Sequence, residues 1–350
     1  MNAFRFASRR YSALAASILF LSISAALAEP NVNSADGDLT EKGKLILGGS
    51  HFGDKPHARP LVFADFNKDL NPSAGGERKE WDRIENMEWA KEGPDGSGCA
   101  RGVAGAGSWT FLVKRDAWSR DGEKAYVFRR QRMNFSVTDK SQNWKIWRMW
   151  PENGSTPNIY AAAHNGRIFV ENVGGESGFW GRLNVPELDW ANEEIMFQAS
   201  SLNVKNGVFW FRSNGVDLAR GSVMTRSSKA MDYMTKNFAV HGVAANPRRW
   251  SPPWIMSNRI WVDEVYVDTV WSRVMLGDKP LRKEGRLWEI EIPVKWTDTS
   301  IELEAHPGIF KPGQTAYLFV FDAEGKSNEV GFPVRIGENH TLVARAAAKN

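Results

Sequence analysis

Three groups of residues have types and spacings from which chemistry could be built. The first lies between Tyr126 and Val137. Successive strand residues face opposite sides, so one row holds Tyr126, Phe128, Arg130, Arg132 and Asn134, and the other holds Met133, Phe135 and Val137. The second is Gly207 to Ser213, where Phe209 and Phe211 read as core and leave Trp210 and Arg212 on the far side. The third combines Tyr160 and His164 with Trp147 and Arg148 from the Trp144–Trp150 run, which carries Trp on both rows. If these rows share one sheet face, they line a trough of Tyr, Trp, Arg, Asn and His. Aromatic faces stack on the apolar side of a sugar ring, while Asn and His give directional hydrogen bonds. The guanidinium fork matches a carboxylate bidentately, which points to an acidic polymer. Equally, Trp and Tyr pack between sheets, and Arg solvates exposed strand faces.

The same residue types suit β-elimination from a uronate. That reaction needs a cation to neutralise the carboxylate, here Arg130, Arg132 or Arg148. It also needs a base, here His164 or Tyr160, with His241 as a second base candidate. Other chemistries find less support. The six His stand at 51, 57, 164, 241, 306 and 340, and none forms an H-E-x-x-H pair, so no local zinc motif exists. The Gly98–Gly107 segment lacks the Lys-Ser/Thr ending of a phosphate loop. Cys99 is the sole cysteine, which excludes an intrachain disulfide and reads as a buried, inert thiol.

The elements that must hold these residues are strands. Runs at Trp109–Lys114, Ala125–Val137, Trp144–Trp150, Asn158–His164, Arg167–Val173, Glu193–Ser200, Gly207–Ser213 and Arg259–Val267 are separated by turn signals. Four of these signals are Asn-Gly pairs, at 153, 165, 206 and 214, the strongest short-range hairpin signal. Ser227–Asn237 is the best helix candidate, and it is short. Residues 71–108 read as a long loop. An all-β sandwich follows. Past Gly277-Asp278-Lys279-Pro280, short alternating strands from Leu287 to Ile336 form a second, small β unit.

The chain has 350 residues, with 45 Lys+Arg, 41 Asp+Glu and 16 Trp. Arg5, Arg9 and Arg10 precede an apolar run, Ala13–Leu27, that closes on Ala26-Leu27-Ala28. This is a secretory signal pattern, too short for a membrane span. Without those arginines 42 basic residues face 41 acidic ones, a net charge of +1, so charge gives no support to a nucleic-acid partner.

Asn192-Glu193-Glu194-Ile195-Met196-Phe197-Gln198, Gly207-Val208-Phe209-Trp210-Phe211-Arg212 and Asn214-Gly215-Val216 together resemble paired strands of concanavalin A-like lectin/glucanase sandwiches. Ile260 to Asp268 resembles the late "DDVYVD" strand of that superfamily, and Leu61 to Phe66 its first "DDF" strand, with Ala64 in place of the first Asp. The resemblance implies a jelly-roll of two antiparallel sheets, shared by lectins, glycoside hydrolases and polysaccharide lyases. It also implies a structural Ca²⁺ held by Asp65 and Asp263, for which exposed carboxylates are the plain alternative. Glucanases of this fold carry E-x-D-x-x-E. Glu187-Leu188-Asp189-Trp190-Ala191-Asn192-Glu193 has its last Glu one position late, which sends it to the opposite face unless a bulge corrects it.

The expected organisation is a signal peptide (1–28), a flexible linker (29–43), a jelly-roll (44–277), an Ig-like module (281–337) and a tail (338–350). The expected activity is binding of an acidic glycan by Tyr126, Arg130, Arg132, Asn134, Trp147, Trp210 and Arg212, outside the cell or in the periplasm. The alternatives are a polysaccharide lyase using His164, Tyr160 and Arg148, and an adhesion protein whose C-terminal module engages a protein partner. No cofactor is required beyond the implied Ca²⁺.

Overall fold

The computed structural model describes residues 28–70, 73–74, 78–102, 110–115, 124–134, 145–150, 158–162, 167–173, 176–180, 189–226, 237–243 and 259–340. The N-terminal signal pattern and His164 lie outside them, as does the expected helix up to Lys236. Among the described residues, regular secondary structure is strand apart from one short 3-10 turn, Arg282–Glu284. It begins with the hairpin β1 (Asn31–Asp38) and β2 (Lys44–Ser50). Short strands follow: β3 (Val62–Ala64), β4 (Ser73–Ala74), β5 (Arg78–Lys79), β6 (Arg83–Glu85), β7 (Met87–Ala90) and β8 (Cys99–Gly102). The middle of the chain gives β9 (Thr110–Lys114), β10 (Lys124–Met133), β11 (Lys145–Trp150), β12 (Asn158–Ala162), β13 (Arg167–Val173) and β14 (Glu176–Trp180). Then come β15 (Ala191–Gln198), β16 (Gly207–Ser213), β17 (Val216–Val223), β18 (Asn237–Val243) and β19 (Ile260–Asp268). The last group is β20 (Arg273–Gly277), β21 (Trp288–Ile290), β22 (Ile292–Trp296), β23 (Ser300–Glu304), β24 (Thr315–Phe321), β25 (Phe332–Arg335) and β26 (Asn339–His340). Asn214 and Gly215 both have positive φ, 46° and 72°, as a two-residue primed turn between β16 and β17 requires.

Apart from the small β4-β5 pair, the strands form four stacked antiparallel layers. The first is a seven-stranded sheet, β14-β13-β12-β11-β18-β9-β6. The second, of eight strands, runs β17-β16-β15-β10-β19-β8-β7, with β3 also paired to β19. Together they are the large jelly-roll sandwich, closed on a core that includes Leu112 and Met149 from the first sheet and Val127, Ile195, Phe211 and Val265 from the second. The third layer is β21-β20-β24-β25 and the fourth is β22-β23-β2-β1-β26. Their core contains Val274, Leu318 and Val320 on one side and Val32, Leu45, Leu47 and Ile301 on the other.

Two features depart from the sequence reading. Residues 29–43 are not a linker, because Val32, Ala35 and Leu39 bury into the small sandwich and β1 pairs along β2. The small module is therefore built from both ends of the described chain, and the jelly-roll is an insertion running from β3 to β19. The stretch 71–108 also forms strands, since Met87–Ala90 pairs with Cys99–Gly102 and extends the eight-stranded sheet.

A third departure bears on where a site can lie. A third core joins the second and third layers: Tyr126, Phe128, Met196, Trp210 and Tyr266 meet Met275, Trp288, Ile290, Phe319 and Phe321. Every residue of β19 and β20 is buried, because both faces of these strands are covered.

Candidate functional site

The face expected to be an open trough is this inter-layer seam. Tyr126, Arg130, Trp210 and Arg212 sit on it with at most 8% of their surface exposed. The Tyr126 hydroxyl donates to Glu194 Oε2 at 3.0 Å. Arg212 Nη1 and Arg273 Nη2 each donate to Glu194 at 2.8 Å. Arg130 reaches four acceptors: Asn192 Oδ1 at 3.1 Å, Asp263 Oδ2 at 3.1 Å, the Trp288 carbonyl at 3.2 Å and Glu289 Oε2 at 2.7 Å. These side chains fasten the small module to the jelly-roll and are closed to a polymer. Arg132 lies at the seam's edge, stacked 4.3 Å over Trp261 and 5.3 Å over Trp190. Asn134 Oδ1 accepts the Arg259 amide at 2.6 Å. Trp147 is in β11, and its side chain is outside the described residues.

Buried charge also occurs inside the jelly-roll. Arg129 pairs with Glu193, which accepts Gln131 Nε2 at 2.7 Å. Glu193, the last acid of the glucanase-like spelling, is thus an internal structural partner. Cys99 donates to the Ala90 carbonyl at 3.4 Å, and burial pushes its thiol up to about 11, as an inert cysteine requires.

The lyase candidates fall on the outermost layer. β11 and β12 pair Arg148 with Tyr160, and β18 sets Ala239 against Arg148 on the other side. His241 is two positions beyond Ala239 in the same strand. Among the described elements, this sheet packs chiefly on the eight-stranded one, through β18 against β19 and β8 and β9 against β7.

A cavity of about 340 Å³ opens where the two sandwiches meet. Its walls include Thr40, Glu41, Asp65, Asn67, Asp95, Arg130, Asp263, Glu264 and His306. Asp65 and Asp263, the residues implied for Ca²⁺, both line it. Asp65 Oδ1 and Oδ2 take the Asn67 amide and side chain at 3.2 and 3.0 Å, and Asp263 is held by Arg130. Among the described residues, the set of three or more side chains spaced for a metal ion is a different one: Glu264, Glu289 and His306.

None of these three was singled out from the sequence. Glu289 and Glu291 alternate with Trp288, Ile290 and Ile292, which reads as a half-exposed strand, yet both acids are fully buried. Burial and the neighbouring Glu289 raise the Glu264 carboxyl well above the ordinary carboxylate range. Glu289 is held below that range despite its burial, because Arg130 faces it. Burial lifts Asp263 and Glu291 each to about 7. Burial also disfavours a charged His306, but Glu41, Glu289 and Glu291 outweigh it and raise the imidazole to about 9. Gly308 makes the assembly feasible. Its φ is +50°, and a Cβ there would lie 2.0 Å from Glu289 Oε2, so only glycine lets this loop close and the Ile309 amide donate to Glu289 at 2.9 Å.

No family model and no curated protein matches the chain. Solved structures do. Endo-β-1,4-glucuronan lyase from the fungus Trichoderma reesei aligns over 55% of this chain and 92% of its own, at 14% identity and TM-score 0.40. An alginate lyase from Aplysia kurodai aligns over 54% and 91%, at 9% identity and TM-score 0.40. Endo-1,3-β-glucanase from Streptomyces sioyaensis aligns over 61% and 97%, at 12% identity and TM-score 0.40. Likeness of this degree transfers no residue role.

Proposed function

We propose that this is an exported protein that engages an acidic polysaccharide along the outer face of its seven-stranded sheet and cleaves it by β-elimination. The observation that carries the reading is the register of β12, β11 and β18. Arg148 and Tyr160 are directly paired in backbone register, and position 241 lies one diagonal from Arg148 in the same register; the Tyr160 and His241 side chains lie outside the described residues. Directly paired residues have Cβ atoms about 4.5–5.5 Å apart and diagonal ones about 7–8 Å, so the three positions span one uronate residue. Phe169 is the register partner of Tyr160 on β13.

The chemistry follows from the residue types. Arg148 neutralises the uronate carboxylate and so acidifies the adjacent C5 proton. His241 takes that proton, the C4–O bond breaks as the C4=C5 double bond forms, and the Tyr160 hydroxyl protonates the leaving oxygen. No redox partner is needed. The N-terminal secretory pattern supports an extracellular or periplasmic polymer as substrate.

The test is incubation with glucuronan, alginate and pectate. The expected result is ultraviolet absorbance from an unsaturated product with at least one polymer, lost in Tyr160→Phe while that variant is still retained on the immobilised polymer. Absence of both product and retention across the panel overturns the proposal.

A further inference from the structure

We propose that Glu264 Oε1, Glu289 Oε1 and His306 Nε2 form a binding site for a divalent transition cation of the zinc class, at the seam of the two sandwiches. The three donor atoms lie within 4.8 Å of one another. His306 Nε2 stands 3.5 Å from Glu264 Oε1 and 4.0 Å from Glu289 Oε1. Tetrahedral zinc with bonds of about 2.0–2.1 Å sets neighbouring ligands about 3.3–3.4 Å apart, so small side-chain adjustments close the site.

The donors meet ion-pair partners and one another, but no fixed hydrogen-bond donor satisfies them. Both carboxylate oxygens of Glu264 and Oε1 of Glu289 are buried without a hydrogen-bond partner. Leaving such atoms unpaired is costly, and native proteins seldom do so without a reason. Arg130 does not occupy the position. It bonds Glu289 through Oε2 and stands 3.4 Å from Oε2 of Glu264, leaving the two Oε1 atoms turned to the imidazole. Glu41 approaches His306 Nδ1 at 3.1 Å. A carboxylate on Nδ1 holds the proton there, so that a metal displacing the Nε2 proton meets the ring in the usual outer-shell arrangement of a metal-bound histidine.

Charge points the same way. Asp263, Glu264, Glu289 and Glu291 are buried around one guanidinium, Arg130, and one imidazole, with the exposed Glu41 at the edge. A dication removes that excess of buried acid. The imidazole selects zinc-like ions over Ca²⁺, which prefers oxygen donors. The cavity lined by Glu264 and His306 supplies the route in. The ligands come from β19, β21 and the loop after β23, which is why no sequence motif announces them.

The test uses the full mature chain, stripped with a chelator and titrated with zinc chloride, with calcium chloride as a separate arm. The expected result is one zinc per chain, unaffected by excess calcium. Binding should fall roughly 10–100-fold in the outer-shell variant Glu41→Gln, and by a larger factor in Glu264→Gln and His306→Ala. Glu264→Gln keeps the side-chain shape, and circular dichroism verifies that each variant is folded. Absence of zinc uptake by the parent overturns the proposal and leaves a proton shared between Glu264 and Glu289 as the occupant. Uptake undiminished in both ligand variants also overturns it, because the metal then sits on other groups.

Discussion

Glu194→Gln tests the assignment of the aromatic–arginine row to a seam rather than a glycan trough. Glu194 is 3% exposed and is gripped by Arg212 from the jelly-roll, Arg273 from the small module and the Tyr126 hydroxyl. Arg273 is fully buried, with its guanidinium 3.7 Å from the Phe321 ring centroid. The substitution preserves shape and removes the one carboxylate between two buried cations. Removing one partner of a buried ion pair costs about 3–5 kcal/mol. For a domain of this size each kcal/mol lowers Tm by about 2–4 °C, so the variant should melt about 10 °C below its parent at neutral pH.

The pH dependence gives a second readout. Burial pushes the Glu194 carboxyl up, but Arg212 and Arg273 outweigh it and hold the group below its ordinary value of 4.5. The stabilisation is therefore complete above about pH 4.5 and is lost as pH falls through the folded value. The gap between parent and variant should narrow in acid. Calorimetry at neutral and acidic pH measures both effects. A companion variant, Arg212→Met, should be destabilised and yet, in its folded fraction, still be retained on an acidic polymer as the parent is. An unchanged Tm in Glu194→Gln, or loss of polymer retention by folded Arg212→Met, refutes the sealed-seam reasoning.

Three other outcomes are expected. Trp288→Ala removes a 2%-exposed indole from the core joining the second and third layers, and should cost about 3–5 kcal/mol in denaturant titration. Lys55 pairs with Asp268 at almost complete burial, so Lys55→Met should lose about 3–5 kcal/mol, and the double variant Lys55→Met/Asp268→Asn should recover part of it. Gly308→Ala forces a methyl into the Glu289 carboxylate at φ +50°, and should weaken zinc uptake measured by titration more than it alters polymer cleavage.

Strand positions were legible because their signals are local. Alternation in Tyr126–Met133, Glu193–Gln198 and Ile260–Val267 together with the Asn214-Gly215 turn places β10, β15, β16 and β19 within a few residues of where they lie. Which face meets solvent is a non-local property, and there the reading failed. A row of Tyr126, Arg130, Trp210 and Arg212 spells the same pattern whether its partner is a sugar carboxylate or Glu194 and Glu289. Glu289 is 159 residues from Arg130. The N-terminal strand was hidden for a related reason. Asn31–Asp38 carries little apolar content, and it is ordered by pairing along β2 and by burying Val32 and Ala35 against a module that the rest of the chain completes last.

This topology changes what the small module can be. A bead after Gly277 would be free to dock elsewhere, but a module made from β1, β2 and β20 to β26 encloses the jelly-roll between its two halves in sequence. Its third-layer sheet lies on the jelly-roll face where glycan was expected, with Arg130, Glu194 and Trp288 as the fastenings. The surface left for the proposed polymer chemistry is the opposite one, the outer face of the first layer, where Arg148 and Tyr160 are paired. The buried acids around His306 lie two layers away from that surface. They act on how the sandwiches are joined, and the proposed polymer chemistry would depend on them only through the integrity of the stack.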